Sequence, residues 1–349
     1  MEQAAEFYKG KSVVVTGACG TVGSELVRQL LHDYEVEITC LDNNESQLFL
    51  MGQEYSACAN ARFKLADIRD KASLNGSFRG ADIVFHAAAY KHVSLCEASP
   101  MEAVQTNIVG VNNIIQAASE CDVEKVIFTS SDKAVNPTNV MGTSKLMGER
   151  LITAANVRHT RTIFASTRFG NVLGSRGSVI PVFARQIRDG GPLTLTDPGM
   201  TRFIMSITQA VRLIIDSCVL AKGGEVFVTK MPVINIADLA QTMVDELAPR
   251  FGHAPGDIAV HIIGAKPGEK LYEELVNQEE VRRTLELDRF YVVLPALSDA
   301  YRPTQYAYAD SCDRLEQAYT SEDEARLTNG TILAFLKDNS ILEHALQAL

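Results

Sequence analysis

Short apolar runs alternate with amphipathic segments through the first half of the chain. The runs are rich in β-branched residues, and most segments between them repeat apolar residues at helical spacing. Continuous apolar strands that alternate with helices are typical of a parallel sheet covered on both faces. The pattern therefore predicts a doubly wound, Rossmann-type α/β fold, with strands at residues 12–16, 36–41, 63–66, 83–86, 126–130 and 162–168.

The regular alternation breaks after about Phe169, where glycine, proline and charged residues become denser. This change predicts a smaller, carboxyl-terminal substrate-binding lobe made of loops and short elements. We expect a first domain at residues 1–172, rejoined by about 205–250, and a substrate lobe made of residues 173–204 and 251–349.

Several amphipathic segments predict helices. Helices at 207–221 and 235–247 flank a predicted strand at 225–229, and a last helix at 332–349 packs on the body or on another subunit. Apolar stripes on the segments 102–119 and 144–156 suit core packing or a dimer contact. We expect a homodimer as the minimum unit, because two such helices per subunit can form a four-helix contact.

Composition and charge narrow the class of protein. A chain of 349 residues with 46% hydrophobic residues can form two lobes, and its net charge of -10 disfavours a nucleic-acid binder. Seven cysteines without metal-type pair spacing suit a reducing cytosol. No signal-like start and no apolar run of ~18 residues is present, so a cytoplasmic protein without a membrane span is expected. The histidine spacing predicts no metal site.

A glycine-rich turn follows the first predicted strand and opens a helix. Its sequence places glycine at every third position, where a side chain would block a tight turn and the approach of a pyrophosphate. The strand before it and the helix after it make this a predicted dinucleotide site. The residues assigned to it are Gly17, Gly20, Thr21, Val22 and Gly23.

Acidic and small residues follow the next three strands. Asp42 stands where a carboxylate accepts hydrogen bonds from the adenosine ribose, and no Lys or Arg for a 2′-phosphate lies between it and Ser46. NAD is therefore favoured over NADP. Asp67 suits the adenine amine or, alternatively, a helix cap. The further cofactor residues expected here are Asn43, Ile68, Ala87, Ala88 and Ala89.

The segment Ser131-Asp132-Lys133 runs off the carboxyl end of the fifth strand, where open α/β sheets place reacting groups. Taken alone, an adjacent acid and amine is more often a solvated loop pair. These two residues become candidates for acid and base catalysis through the family resemblance that the motifs together carry.

These motifs, together with HAAAYKHV and the later MGTSK, carry a specific resemblance over residues 10–295. The sequence resembles the extended short-chain dehydrogenase/reductases and, within them, the UDP-N-acetylglucosamine 4,6-dehydratases of bacterial surface-glycan synthesis. The match is to the soluble catalytic part of the larger members, so a membrane-spanning amino-terminal region is not expected here.

The resemblance implies a mechanism for the acid and amine. NAD oxidises the 4-hydroxyl of the sugar, and the resulting ketone acidifies the proton on carbon 5. Neutral Lys133 removes that proton, protonated Asp132 protonates the departing 6-hydroxyl, and hydride returns to carbon 6. The cofactor is thereby regenerated, and the product is a 4-keto-6-deoxy sugar nucleotide.

The wider family carries a YxxxK motif, but this chain reads Met141-Gly142-Thr143-Ser144-Lys145. A thioether cannot accept the proton of the 4-hydroxyl. The larger dehydratases that this chain resembles also carry Met there. The proton acceptor stays open between Lys145, through water, and Asp132. Lys145 is also expected to bind the nicotinamide ribose.

The resemblance assigns substrate contacts to polar and cationic residues that suit a diphosphate, a uridine and a sugar. Most of them follow the sixth strand, in RFGNVLGSRGSVIP, or lie further along in the second lobe. They are Lys91, Asn171, Arg176, Ser178, Val179, Thr201, Arg202, Lys266 and Glu269.

Two other functions compete with a dehydratase. A UDP-N-acetylhexosamine 4-epimerase would share the fold and the first oxidation, yet it needs the Tyr that Met141 replaces and has no use for Asp132 and Lys133. A non-catalytic dinucleotide sensor would explain the lost Tyr. The retained acid, lysines and substrate loop argue against it.

Overall fold

The computed structural model describes residues 2–158, 161–175, 178–265, 268–296, 306–308 and 314–347. It divides into two compact units, each with its own core. The first comprises Met1–Phe169, Val211–Lys230 and Val276–Ala318, and the second comprises Gly170–Ala210, Met231–Leu275 and Tyr319–Leu349.

The described residues form sixteen strands. They are β1 (Ser12–Thr16), β2 (Glu37–Asp42), β3 (Ala61–Leu65), β4 (Ile83–His86), β5 (Lys125–Thr129), β6 (Ile163–Arg168), β7 (Asn171–Val172), β8 (Leu193–Leu195), β9 (Thr201–Met205), β10 (Val226–Thr229), β11 (Val233–Asn235), β12 (Val260–Ile262), β13 (Glu274–Val276), β14 (Thr284–Glu286), β15 (Phe290–Val293) and β16 (Tyr319–Thr320).

Within the same described ranges there are fourteen α-helices. They are α1 (Glu2–Tyr8), α2 (Thr21–Asp33), α3 (Glu45–Glu54), α4 (Lys71–Phe78), α5 (Val93–Ala98), α6 (Pro100–Val104), α7 (Gly110–Glu120), α8 (Val140–Arg158), α9 (Val179–Arg188), α10 (Ile207–Leu220), α11 (Ile236–Leu247), α12 (Gln278–Val281), α13 (Asn329–Asp338) and α14 (Ile341–Gln347). A π-helical segment, Gln105–Val109, joins α6 to α7.

The first unit is built on a nine-stranded sheet of order β14-β15-β10-β6-β5-β4-β1-β2-β3. Neighbouring strands pair in parallel from β3 at one edge, through β2, β1, β4, β5 and β6, to β10. Strand β15 pairs antiparallel with β10, and β14 pairs antiparallel with β15 at the other edge. The order β3-β2-β1-β4-β5-β6 is that of a dinucleotide-binding fold. The predicted Rossmann-type fold is confirmed, and each of its six predicted strands lies within two residues of the observed one.

Alternate residues of the central strands face one layer of helices. Val14, Val84, Val126 and Phe164 contribute to a buried apolar cluster, which also contains Ile152 of α8. Because consecutive side chains on a strand point to opposite faces, this alternation fixes which residues meet α8. The layer of helices therefore packs directly against β5.

The second unit has its own core and smaller sheets. Strands β11, β9 and β7 form one sheet, and β12 pairs with β8. Helices α9, α11, α13 and α14 share one buried apolar cluster with β8. The predicted helix at 332–349 is instead two helices, because the chain turns at Ser340, whose φ is 51°. Both pack in this cluster, through Ile332, Leu336 and Leu342.

The observed units divide the later chain differently from the predicted domains. Residues 231–250 lie in the second unit, because β11 pairs with β9 and α11 joins its core. Residues 276–318 lie in the first unit, because β15 pairs with β10. Local apolar patterns do not carry such long-range pairings. In the part of the chain that the structure describes, the helices fall short of the length and apolar character that a bilayer crossing requires.

Candidate active site

The glycine-rich turn connects β1 to α2 within the first unit. Gly17 has a φ of +69°, and a Cβ added there would lie 2.6 Å from the backbone nitrogen of Ala88. A Cβ on Gly23 would lie 2.1 Å from the carbonyl oxygen of Gly17. Both positions therefore require glycine. Helix α2 begins at Thr21, directly after Gly20, and Val22 is its second residue. No side chain of the described residues caps the first N–H groups of the helix, so these groups can bind an anion.

Asp42 ends β2 beside this turn. Its carboxylate accepts hydrogen bonds from the backbone N–H groups of Cys19 and Asn44, both at 2.9 Å. These two bonds hold the carboxylate between the glycine-rich turn and the start of α3. The position and orientation suit an acceptor for ribose hydroxyls.

Asp67, after β3, is engaged by a cation that the sequence interpretation did not include. The Arg69 guanidinium donates to both carboxylate oxygens of Asp67, at 2.6 to 3.0 Å, and hydrogen bonds from Arg69 lower the pKa of Asp67. Ile68 between them is buried, whereas Ala87, Ala88 and Ala89 after β4 are half-buried. Asp67 and Arg69 are two positions apart in the sequence, and this proximity was the available signal for their contact.

Asp132–Ala134 forms a single 3-10 turn after β5, and Ser131 is the N-cap of that turn. Asp132 is buried, with 1% of its surface exposed, and its Oδ1 accepts hydrogen bonds from the Ser131 hydroxyl at 2.6 Å and from the Lys133 backbone N–H at 2.9 Å. The Lys133 Nζ lies 3.2 Å from each carboxylate oxygen. The acid and the amine are therefore in direct contact, and the lysine side chain keeps 29% of its surface exposed.

Lys145 lies on α8 and is buried among different groups. Its Nζ donates to the Thr129 carbonyl at 2.9 Å and lies 4.7 Å from the centre of the Phe128 ring. Burial lowers the pKa of Lys145 to about 8, although the carboxylate of Glu149 acts in the opposite direction. The amine can therefore change its charge near neutral pH, at the carboxyl end of the sheet.

Met141 lies one helical turn before Lys145, where the family motif has Tyr. Its side chain is buried in a small apolar cluster with Cys96 and Ala103. A Cβ on the next residue, Gly142, would lie 2.2 Å from the carbonyl oxygen of Lys133, so α8 packs directly on the turn that contains Asp132 and Lys133. The thioether contributes packing and carries no proton.

Two buried side chains near Lys145 were missed by the sequence interpretation. His86, the last residue of β4, has its Nδ1 2.7 Å from the Thr16 hydroxyl, and its Nε2 has no hydrogen-bond partner among the described residues. Burial, with a smaller contribution from the Lys145 charge, lowers the pKa of His86 to about 3. The ring is therefore neutral. A histidine that ends a buried strand was the only sequence signal.

Asn107, the second residue, occupies the π-helical segment. Its amide exchanges hydrogen bonds with the backbone of Tyr90, both at 2.9 Å, and donates to the Ser144 hydroxyl at 2.9 Å. It therefore ties the segment after β4 to α8. Its role depends on a local change of helix type and on contacts distant in sequence, which the apolar pattern does not reveal.

The predicted substrate residues are distributed between the two units. Lys91 is exposed just before α5, in the first unit. In the second unit, Asn171 donates to the Phe203 carbonyl at 3.3 Å, Ser178 precedes α9 without capping it, and Val179 begins that helix. Arg176 and Lys266 lie outside the described residues.

Thr201 and Arg202, on β9, contact neighbouring side chains in the second unit. The Thr201 hydroxyl lies 2.9 Å from that of Ser321, and Arg202 lies 3.3 Å from the Glu273 carboxylate. Glu269 is exposed. No group of three or more potential ligands (His, Cys, Asp or Glu) that could hold a metal ion is found within the described ranges.

The model of a protein family described as "Polysaccharide biosynthesis protein" matches residues 13–295. The chain belongs to this family. An uncharacterized membrane protein of Methanocaldococcus jannaschii is 46% identical over 97% of this chain and 98% of its own length. The chain spans about half the length of two other relatives, polysaccharide biosynthesis proteins of Staphylococcus aureus and Bacillus subtilis.

Two further relatives of this chain carry enzyme names. The inverting UDP-N-acetylglucosamine 4,6-dehydratase of Campylobacter jejuni is 37% identical over 83% of this chain and 84% of its own. The UDP-glucose 4-epimerase of Rickettsia canadensis is 35% identical over 91% of this chain and 92% of its own.

Solved structures agree with these relatives. Pen from Bacillus thuringiensis has a TM-score of 0.87 and 38% identity, over 96% of this chain and 99% of its own. DesIV, a dTDP-glucose 4,6-dehydratase of Streptomyces venezuelae with NAD bound, has a TM-score of 0.67 and 25% identity, over 74% of this chain and 86% of its own. The chain is thus an extended short-chain dehydrogenase/reductase, and its similarities support a nucleotide-sugar dehydratase or epimerase.

Proposed function

We propose that this protein is an NAD-dependent 4,6-dehydratase of a UDP-N-acetylhexosamine, specifically UDP-N-acetylglucosamine. The product would be the 4-keto-6-deoxy sugar nucleotide, for surface-glycan synthesis. One observation carries the proposal: a buried acid, Asp132, contacts an amine, Lys133, at the carboxyl end of β5, while Met141 offers no ionisable group. The enzyme names of the Campylobacter jejuni relative and of DesIV support the same reaction class.

The residues of the first unit fit NAD. The glycine-rich turn leaves a cradle that a Cβ would fill, and the Asp42 carboxylate is held beside it by two backbone N–H groups. A carboxylate there would repel the 2′-phosphate of NADP, and Arg69 is already paired with Asp67. Bound NAD supplies reversible hydride transfer, first from carbon 4 of the sugar and then to carbon 6.

The contact between Asp132 and Lys133 explains how both reach the protonation state that the elimination needs. A carboxylate with an ammonium contains the same number of protons as a carboxylic acid with a neutral amine. Moving one proton from Lys133 to Asp132 across the 3.2 Å contact therefore gives a protonated acid and a neutral amine without exchange with solvent. Lys133 then accepts the carbon 5 proton, and Asp132 gives its proton to the leaving 6-hydroxyl. When hydride returns to carbon 6, the pair returns a proton to carbon 5, which completes the product.

The remaining residues of the first unit orient these two. The Ser131 hydroxyl donates to Asp132 and thereby fixes the carboxylate. Lys145 binds the nicotinamide ribose. Met141 cannot accept the 4-hydroxyl proton. The acceptor is therefore either Asp132, while it is a carboxylate, or, through water, the neutral form of Lys145.

We assign the substrate contacts to the residues that the sequence predicts for them. Lys91 contacts the sugar, and Arg176, Arg202 and Lys266 neutralise the diphosphate. The uridine and the rest of the sugar are contacted by Asn171, Ser178, Val179, Thr201 and Glu269.

A UDP-N-acetylhexosamine 4-epimerase is the second candidate, since the Rickettsia canadensis relative bears an epimerase name. Epimerisation releases no water and needs no acid for a leaving hydroxyl. The buried Asp132 in contact with Lys133 has no task in that reaction, so we favour the dehydratase.

Mass spectrometry of UDP-N-acetylglucosamine after incubation with the protein tests the proposal. A product lighter by one water is expected. A product of unchanged mass that separates from the substrate would identify an epimerase. Protein that copurifies with NAD but changes no UDP-sugar would favour the dinucleotide sensor.

A further inference from the structure

Glu149, Arg168 and Glu280 form a buried charge cluster in the first unit that the mechanism above does not use. Their side chains are 3%, 1% and 4% exposed. Arg168 donates two hydrogen bonds to Glu149, at 3.0 and 2.7 Å, and two to Glu280, at 2.8 and 3.0 Å. Each carboxylate therefore makes a two-point contact with the same guanidinium.

This cluster adjoins Lys145. Glu149 follows Lys145 by four residues on α8, which places both side chains on the same face of the helix, one turn apart. Lys145 and Arg168 carry two positive charges, and Glu149 and Glu280 carry two negative charges. Loss of the Lys145 proton would leave one net negative charge in the protein interior, which is unfavourable. The cluster therefore favours the protonated amine, in opposition to burial.

Other ionisable groups around this region are neutral or paired. His86 on β4 is neutral because its pKa is about 3. The turn that packs on α8 contributes Asp132 and Lys133, which balance each other. Beyond Glu280, Arg283 lies 3.6 Å from that carboxylate and 3.2 Å from Glu279. Glu149 is thus the charged residue that acts on Lys145 from the same face of α8.

We propose that Glu149, held in place by Arg168, is a positioning residue that keeps Lys145 protonated and so sets the balance between oxidised and reduced cofactor on the enzyme. The inference rests on the proposed function, which puts Lys145 beside the nicotinamide ribose. An ammonium there disfavours the positively charged oxidised ring relative to the neutral reduced ring. As pH rises and Lys145 loses its proton, NAD should bind better relative to NADH.

The chain offers a matched pair of variants. Glu149→Gln and Glu280→Gln each remove one two-point carboxylate partner of Arg168 and leave the other, and Glu280→Gln also weakens the contacts of that side chain with Arg283 and with the Asn277 backbone N–H. Only Glu149 is one helical turn from Lys145. The measured quantity is the ratio of the dissociation constants of NAD and NADH across pH, because losses common to both nucleotides cancel. NADH fluorescence reports binding cleanly, since the chain has no Trp.

For the unmodified protein, we expect the ratio to change with a midpoint near the Lys145 pKa of about 8. Glu149→Gln should lower that midpoint by at least about one pH unit, because it removes a charge one turn away in a medium of low dielectric. Glu280→Gln should lower it by less than half as much. Glu149→Asp, which keeps the charge, should restore a midpoint within about half a unit of the unmodified one.

Equal midpoints in Glu149→Gln and Glu280→Gln, or a ratio independent of pH in the unmodified protein, would overturn the inference and leave the proposed function standing. Failure of the unmodified protein to bind either nucleotide would overturn both. If Glu149→Gln does not fold, Glu149→Asp and Glu280→Asp replace the pair. The shift expected at position 149 is then small, within about half a pH unit, and it must still exceed the shift at position 280.

Discussion

Lys133 and Lys145 stand twelve residues apart at the same end of the sheet, yet their surroundings differ. Lys133 is partly exposed and contacts a carboxylate within its own turn, whereas Lys145 is buried and donates to a backbone carbonyl. The charge of Lys145 is balanced from the next turn of α8, through Glu149. The two amines therefore lose a proton under different constraints.

This difference assigns the two lysines different tasks. Lys133 can become neutral by passing its proton to Asp132, which leaves the total charge of the pair unchanged. Lys145 cannot become neutral without changing the charge of a buried cluster. The first arrangement suits a base that must be restored in every cycle, and the second suits a fixed cation that binds and biases a cofactor.

Lys133→Ala should have the largest effect, because it removes the base from this comparison. Dehydration should fall below detection, and exchange of the carbon 5 proton with heavy water should stop, while NAD still binds. Nuclear magnetic resonance of the sugar in heavy water measures the exchange. Undiminished exchange in this variant would show that another group is the base.

Asp132→Asn should slow dehydration by at least ~10²-fold, the usual contribution of a positioned acid or base. It also removes the partner that lets Lys133 become neutral. Rates of water loss, measured by mass spectrometry, test this. NAD affinity serves as the control and should be unchanged, since Asp132 lies after β5 and contacts its own turn. A rate near that of the unmodified protein would exclude Asp132 as the acid.

Asp42→Ala tests whether the cofactor end is built for NAD. The variant loses a charged acceptor for ribose hydroxyls, so NAD affinity should fall by about tenfold or more, with a much smaller effect on NADP. Titration of both nucleotides gives the comparison. If the unmodified protein binds NADP more tightly than NAD, the assignment of Asp42 is incorrect.

Met141→Ala asks whether the position of the family Tyr still has a catalytic task. Truncating a buried side chain should cost about 2 kcal/mol of stability, while dehydration per folded molecule changes only a few-fold. Thermal unfolding and activity separate the two effects. Loss of dehydration here, together with normal rates in the Asp132 and Lys133 variants, would contradict the mechanism.

The smallest effect concerns assembly rather than catalysis. Met147 on α8 is 46% exposed and lies within the predicted contact of residues 102–119 and 144–156, whereas Met101 and Val157, which are 63% and 47% exposed, lie just outside it. A dimer at micromolar concentration is expected by sedimentation. Met147→Glu should weaken it without slowing dehydration within each subunit. A monomer of the unmodified protein would refute the contact.

The sequence predicts much of the first unit because its information is local. Apolar strands, the glycine-rich turn and Asp42 form a pattern within about forty residues, and each was placed correctly on the sheet. The turn that contains Asp132 and Lys133 was likewise visible as a short motif. What it contacts depends on α8, where Gly142 permits the close approach.

Other features depend on residues distant in sequence. The pairing of β15 with β10 and the contact of Arg168 with Glu280 join segments that no periodicity relates. Arg69 beside Asp67, and His86 beside Thr16, required the side-chain geometry. The break at Ser340 lies between two helices of similar apolar character, so the pattern alone suggested one helix.

The reaction of the unmodified protein with UDP-N-acetylglucosamine in heavy water tests the central claim most directly. The account predicts that the earliest product is one water lighter than the substrate and carries one deuterium, on carbon 5, because Lys133 exchanges its protons with solvent before it or its partner returns one. Mass spectrometry measures the mass, and nuclear magnetic resonance locates the deuterium. A product of unchanged mass, epimeric at carbon 4 and without deuterium on carbon 5, would contradict the account.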